Sequence, residues 1–379
     1  FCRYQRGTRT MMRVTLLTNL SGGNTAIKIS GLSRYSLSLH KELDKNKALQ
    51  VKLLMQEKLP KPILFFANVL GTLLGKDIET FFRAIPLFFP KDVGEDADII
   101  HCTSQLLALP LLYNKQLRKK CVVTVHDIIP VATNTYASAA EKFFYGLLLK
   151  ALKNTAHIIA DSEQTKKDIV TYVGYPEEKI SVISLGIDPK EFSEKKIKRN
   201  KETILYVGSE HKRKNIECII KALALVKKEI PNILFMKVGQ AQDNYNREKL
   251  KALARESGVE ENILWKDYVG DLAEEYNKAT VFVFPSVYEG FGFPVLEAMA
   301  CGCPVISSDK TSLPELAGDA AVYCDVCDEG ELAEKIIRVI KNKRVQESLR
   351  KKGLLQAKKF TWKKCAEETI DIYKKISSN

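Results

Sequence analysis

The sequence lacks the marks of a membrane-spanning or disulfide-stapled protein. No apolar run approaches the ~20 residues that a spanning helix needs; the longest, 62–75, is shorter and ends at Lys76. The first ten residues, FCRYQRGTRT, are basic and have no apolar core, so they do not read as a signal peptide. Met11-Met12 followed by RVTLLTN reads as the start of the folded chain, with residues 1–11 an extension of no evident structure. The nine cysteines are odd in number and mostly sit inside apolar runs, as small hydrophobes do in a reducing cytosol. Cys301, Cys303, Cys324 and Cys327 have a spacing that a zinc site can use, but each pair adjoins a predicted buried strand and reads as packing. There is no G-x-G-x-x-G, which counts against an NAD-dependent oxidoreductase, and no repeat of a solenoid. Of 379 residues, 45% are hydrophobic and 28% charged, which excludes disorder and fibrous repeats.

What the chain has is positive charge and alternation. Its net charge of +13 implies an anionic partner, with nucleic acid, anionic lipid and phosphorylated substrate all open at this point. The excess is uneven: residues 1–120 hold 19 Lys and Arg against 9 Asp and Glu, residues 121–350 hold 32 against 34, and residues 351–379 hold 8 against 3.

Short β-type runs alternate with helical segments. Strands are predicted over 13–19, 50–55, 97–102, 121–127, 156–162 and 179–186, then over 203–208, 233–239, 263–267, 280–286, 303–309 and 320–325. Between the first two, Leu32, Tyr35, Leu39 and Leu43 recur at helical spacing. The charged, aperiodic 187–202 reads as a linker. Two such series predict an α/β protein of two doubly wound parallel-sheet domains, whose ligand binds at strand carboxyl ends in the cleft between them.

The most informative segment is PSVYEGFGFPVLEAMACGCPVISSD (285–309). A buried strand leads into the loop Glu289-Gly290-Phe291-Gly292-Phe293, and Pro294 opens a helix, where its missing N–H costs nothing. The glycines allow close backbone approach to a ligand, and the helix start offers free N–H groups. Glu289 in the loop and Glu297 on the first helical turn are placed to face one ligand; alternatively, Glu297 only complements the helix dipole.

This segment resembles the E-x7-E signature of retaining glycosyltransferases of the GT-B fold, in particular glycosyltransferase family 4. Other segments resemble that family in the same order: GLSRY (31–35), TVHDIIP (124–130), DSEQTKKDIVTYVGYPEEKISVISLGID (161–188), YVGSEHKRKNIECIIKAL (206–223) and FTWKKCAEETIDIY (360–373). The resemblance implies two Rossmann-like domains. An acceptor-binding domain over 12–188 joins through a linker, 189–202, to a nucleotide-sugar-binding domain over 203–358. A final helix, 359–379, crosses back onto the first domain.

It also implies roles. Glu289 contacts hydroxyls of the donor sugar, Glu297 the ribose, and Lys214 the diphosphate, with Arg213, Gly208 and Gly290 to Phe293 around them. His126, at the end of a buried strand, approaches the donor sugar; a strand-end histidine is otherwise structural, as His101 and His157 are read to be. Many members carry a second cation directly after the glycine matching Gly208. Here Ser209 stands there, leaving His211, Lys212 or Arg213 to supply the charge. Gly23 and Gly31 flank the first strand–helix connection, although the family's glycine loop is tighter than this one. Asp96-Ala97-Asp98 is a literal D-x-D, but it precedes its strand and reads as turn chemistry.

The expected activity is transfer of a sugar from a GDP- or UDP-linked donor to a glycan or a polyprenyl- or lipid-linked acceptor. Transfer is expected to retain configuration and to use no metal or other cofactor, in cell-surface polysaccharide or glycolipid synthesis. A non-catalytic GT-B partner or regulatory subunit of a transferase is the rival reading. With both basic ends on the acceptor-binding half, beside the apolar stretch 59–90, the charge suggests a cytoplasmic protein touching the inner face of an anionic membrane rather than nucleic acid. The plainer alternative is a buried helix under a solvated basic surface.

Overall fold

The computed structural model describes residues 11–18, 31–55, 93, 96–241, 244–325 and 328–378. The apolar stretch 59–90 and Gly23 lie outside the described residues. The chain divides into two compact units, the first running to Gly186 and taking back Trp362–Asn379, the second comprising Ile187–Thr361.

Runs such as CVVTV and VFVF are rich in β-branched and aromatic side chains and are buried at every position, the signature of strands covered on both faces. The first unit holds β1 (Met12–Thr18), β2 (Leu49–Met55), β3 (Ile99–Cys102), β4 (Cys121–Val125), β5 (His157–Ala160) and β6 (Ile180–Val182). All neighbours pair in parallel in the order β2-β1-β3-β4-β5-β6. The second unit holds β7 (Thr203–Val207), β8 (Leu234–Val238), β9 (Ile263–Lys266), β10 (Val281–Phe284), β11 (Val305–Ser308) and β12 (Ala321–Cys324). They are also parallel, in the order β12-β11-β10-β7-β8-β9. Read from β9, that is the dinucleotide-binding order, with its switch point between β7 and β10.

All twelve strands expected from the sequence are present. Several stop early: 121–127 ends at Val125, 156–162 at Ala160 and 179–186 at Val182. His126 and Asp161 lie just past two of these ends, where their side chains bond one another. On the helix Gly31–Leu43, Tyr35, Leu39 and Leu43 are buried as expected, whereas Leu32 is exposed.

The final helix, Trp362–Ser377, belongs to the first unit. Its buried stripe of Trp362, Cys365, Ala366, Thr369, Ile370 and Tyr373 faces the helix Gly31–Leu43. Below that stripe runs a buried polar chain. Tyr373 Oη lies 2.6 Å from His101 Nδ1, His101 Nε2 lies 2.8 Å from Thr124 Oγ1, and Thr124 Oγ1 lies 2.8 Å from Tyr35 Oη. Burial lowers His101 to about 3, so the ring is neutral.

Residues 189–202 contain no helix or strand but are tied to the second unit. Arg199 donates to Ala279 O and Gly302 O, and Lys195 pairs with Asp271. Asp96 and Asp98 serve the turn before β3: Asp96 pairs with Arg13 at 2.9 Å, and Asp98 Oδ2 accepts from Arg13 N. Burial pushes the Cys301, Cys303 and Cys324 thiols up to about 12, as packed side chains; Cys327 lies outside the described residues.

Candidate functional site

In the second unit, two loops leave the sheet at its switch point. One, 208–215, follows β7; the other, 285–292, follows β10. Gly208 opens the first loop and lies against Gly239, at the end of β8. A Cβ on Gly239 would sit 2.4 Å from Gly208 O, so these strand ends approach as only glycine allows. Val287 N donates to Arg213 O at 2.8 Å, joining the two loops. Asn215, left-handed at φ 56°, then turns the chain into the helix Ile216–Glu229.

That junction brings three predicted residues together. Lys214 Nζ lies 2.5 Å from Glu289 Oε1, and Arg213 Nη1 lies 3.0 Å from the same oxygen while also donating to Tyr288 O. Ser286 Oγ donates to Oε1 as well. Glu289 N donates to Thr311 Oγ1, and Ser312 Oγ donates to Glu289 O, so the backbone is held on both sides. Glu289 and Lys214 are 7% and 8% exposed, burial enough to make the pairing matter. Burial alone would raise the Glu289 carboxyl; Lys214 and Arg213 outweigh it and hold the group below its usual range. Of the three residues the sequence offered beside Lys214, Arg213 is the one that shares the Glu289 carboxylate with it.

Glu297 is placed differently from the sequence expectation. The helix runs Phe293–Ala300 with Gly292 as its cap, so Glu297 lies in the second turn, beyond the free amides, and not in the first. The helix starts at Phe293, one residue before the Pro294 start expected from the sequence, which makes Glu297 its fifth residue rather than its fourth. The Glu297 carboxylate accepts from Tyr276 Oη at 2.9 Å and is 4% exposed. Gly292 has φ 107°, and Phe291 packs inward against Phe293 and Phe360. Gly290 completes this loop. In the first unit, Gly31 is the exposed first residue of its helix.

His126, just past β4, is also in the first unit. Its Nδ1 is 2.5 Å from Asp161 Oδ2 and its Nε2 is 2.9 Å from Thr103 O. Both ring nitrogens are thus engaged within the protein, and the Tyr35 ring meets the imidazole edge-on at 4.9 Å.

Sequence reasoning missed a second ionic cluster. Glu210 Oε1 lies 2.5 Å from the buried Lys237 Nζ and 2.6 Å from Arg247 Nε; Arg247 also reaches Asp267 and stacks on Trp265. The signal was a lone lysine in the apolar strand LFMKV. Glu210 and Asp267 together balance these two cations, whereas Lys214 and Arg213 share the single carboxylate of Glu289.

Two units with these sheet orders and a built junction at the second unit's switch point define a GT-B-type transferase scaffold. Sucrose-phosphate synthase from Thermosynechococcus elongatus shares the fold, with a TM-score of 0.73 over 97% of this chain and 100% of that one at 19% identity. Residues 29–191 match the model for Glycosyltransferase Family 4, and residues 188–356 match that for Glycosyl transferases group 1. O-antigen chain mannosyltransferase B of Escherichia coli is 30% identical over 281 residues, 70% of this chain and 73% of that protein. Serotype-specific mannosyltransferase WbdA of Escherichia coli is 27% identical over 277 residues, 68% of this chain; the match covers 34% of WbdA's length. The chain belongs to glycosyltransferase family 4 and is a hexosyltransferase.

Proposed function

We propose that the protein moves a hexosyl group from a nucleotide-diphosphate sugar to a glycan or lipid-linked acceptor hydroxyl in cell-surface polysaccharide synthesis, with retention at the anomeric carbon. The observation that carries this reading is the convergence of Lys214 and Arg213 on one carboxylate at the switch point. As the sugar–phosphate bond breaks, negative charge grows on the leaving diphosphate, and fixed cations there lower the barrier. Lys214 and Arg213 supply that charge without a metal in this reading. Glu289 serves the donor sugar's hydroxyls and Glu297 the ribose, and no protein nucleophile is assigned. GDP-mannose is the first donor to test, since both curated relatives are mannosyltransferases, and UDP-sugars follow.

Nucleic acid has no part in this reading. The basic ends of the sequence and the exposed Phe143, flanked by Lys142 on the helix Ala139–Leu152, support peripheral contact with an anionic membrane on its cytoplasmic face. The test of function is a panel of nucleotide sugars assayed for hydrolysis or transfer with polyprenyl-linked and glycolipid acceptors. Glu289→Ala should abolish transfer while the protein still folds; unchanged turnover would remove Glu289 from the site.

A further inference from the structure

We propose that Asp161 is a positioning residue that keeps His126 doubly protonated, so that the ring ties together the loops following β3, β4 and β5. The inference rests on the reading that this sheet edge serves the transferase site, and it changes the part His126 plays there.

Thr103 O is a backbone carbonyl and can only accept, so Nε2 at 2.9 Å carries a hydrogen. Asp161 Oδ2 faces Nδ1 at 2.5 Å, and an ionised carboxylate also only accepts. Asp161 is 2% exposed, and its other oxygen, Oδ1, is buried without a hydrogen-bond partner among the described residues. Burial raises the Asp161 carboxyl, and the charge and hydrogen bond of the imidazolium oppose that rise; in this proposal they keep the carboxylate ionised. Burial alone would lower His126; Asp161 and the Thr103 carbonyl reverse that and hold the ring above its ordinary value.

The other titratable or charged groups around the ring are Asp127, Tyr35 and His101, with Cys365 beyond Asp161. None is a cation competing for Asp161, since His101 is neutral.

The backbone around the ring is tied in the same direction. His126 N donates to Gln105 Oε1 at 3.4 Å, Gln105 Nε2 donates to Asp127 O at 2.9 Å, and Thr165 Oγ1 donates to His126 O at 3.4 Å. Thr103, His126 and Asp161 each lie just past a different, adjacent strand. One ring therefore holds the ends of β3, β4 and β5 together. While both nitrogens donate, the ring has no lone pair to accept a proton from an acceptor hydroxyl, so in this proposal His126 does not act as a general base.

The test is made on the full chain carrying heavy-nitrogen histidine. With five histidines, the ring signals are few enough to assign by difference with His126→Gln. Both His126 nitrogens should report N–H near neutral pH, and in Asp161→Asn the ring's midpoint should fall by about 1–3 pH units. Turnover should follow: Asp161→Asn lowers kcat, leaves the donor KM within about twofold, and moves the alkaline limb of the pH profile down with the ring. Asp161→Glu should restore both. A neutral ring in the wild type, or a midpoint unmoved in Asp161→Asn, overturns the proposal. If Asp161→Asn does not fold, the wild-type and Asp161→Glu spectra still decide. A wild type that turns over no nucleotide sugar defeats the transferase reading and leaves the ring measurement standing.

Discussion

Replacing Lys214 by Met keeps the aliphatic stem and removes the ammonium from a pair that is almost wholly buried. The Nζ–Oε1 distance is 2.5 Å, and neither residue is more than 8% exposed. A charge-assisted hydrogen bond contributes about 1.5–3 kcal/mol, and breaking one side of a fully buried pair costs about 3–5 kcal/mol. Arg213 at 3.0 Å and the Ser286 hydroxyl remain on the carboxylate, so the loss belongs near the lower range, about 2–3 kcal/mol. Glu289→Gln leaves two cations facing a neutral amide and should cost a similar amount. The double variant should lose less than the sum by about 1–2 kcal/mol, because each single change strands the other partner. The chain has two tryptophans, Trp265 in the second unit and Trp362 in the first. Urea unfolding followed by Trp265 fluorescence in a Trp362→Phe background therefore reads the correct unit. Additive losses, or a Lys214→Met loss under about 0.5 kcal/mol, would show that the pair behaves as an exposed one and refute the reasoning. On turnover, Lys214→Met should lower kcat by about 100- to 1,000-fold, as loss of one preorganised charge-stabilising donor does.

Tyr373→Phe strands the buried His101 Nδ1 and should cost the first unit about 1–3 kcal/mol, seen in Trp362 fluorescence. Gly239→Ala drives a Cβ to 2.4 Å from Gly208 O, whereas Gly258→Ala meets open space; both have positive φ, so equal losses in Trp265-detected unfolding would contradict the close approach. His101 is lowered to about 3 from 6.5, so between those values the unfolded chain binds the extra proton; the first unit should lose stability progressively as pH falls below 6.5, measurable as urea midpoints across that range. His126 acts oppositely. Its folded value is raised, so its contribution is present below its ordinary value and is lost as pH rises through the folded one.

Strand existence was legible because fully buried parallel strands are short, continuous apolar runs rich in β-branched and aromatic residues, as VFVF and CVVTV are. Strand ends were less so, since His126 and Asp161 continue the apolar pattern's length while bonding each other from positions 35 apart. The Lys214–Glu289 junction was anticipated as two ligand-facing residues but not as partners, because 75 positions separate them and only the switch point makes them neighbours. Lys237, a lone lysine in an apolar strand, was passed over in the sequence, and Glu210 could not be matched to it from spacing. Glu297 was placed in the first turn because Pro294 marks a helix start only to within a residue, and the helix begins at Phe293 instead.

The return of the last helix to the first unit has a consequence for biosynthesis. The second unit is one uninterrupted segment, complete once Thr361 has been made, whereas the first unit lacks Trp362 and Tyr373 until the helix Trp362–Ser377 has been made. On a ribosome the inserted unit can mature first. The earlier-synthesised unit must wait with His101 Nδ1 lacking its Tyr373 partner until the closing helix emerges. A chain stopped before residue 362 would thus carry a finished nucleotide-type fold beside an unfinished neighbour, a species that chaperones and proteases can tell apart from the mature protein.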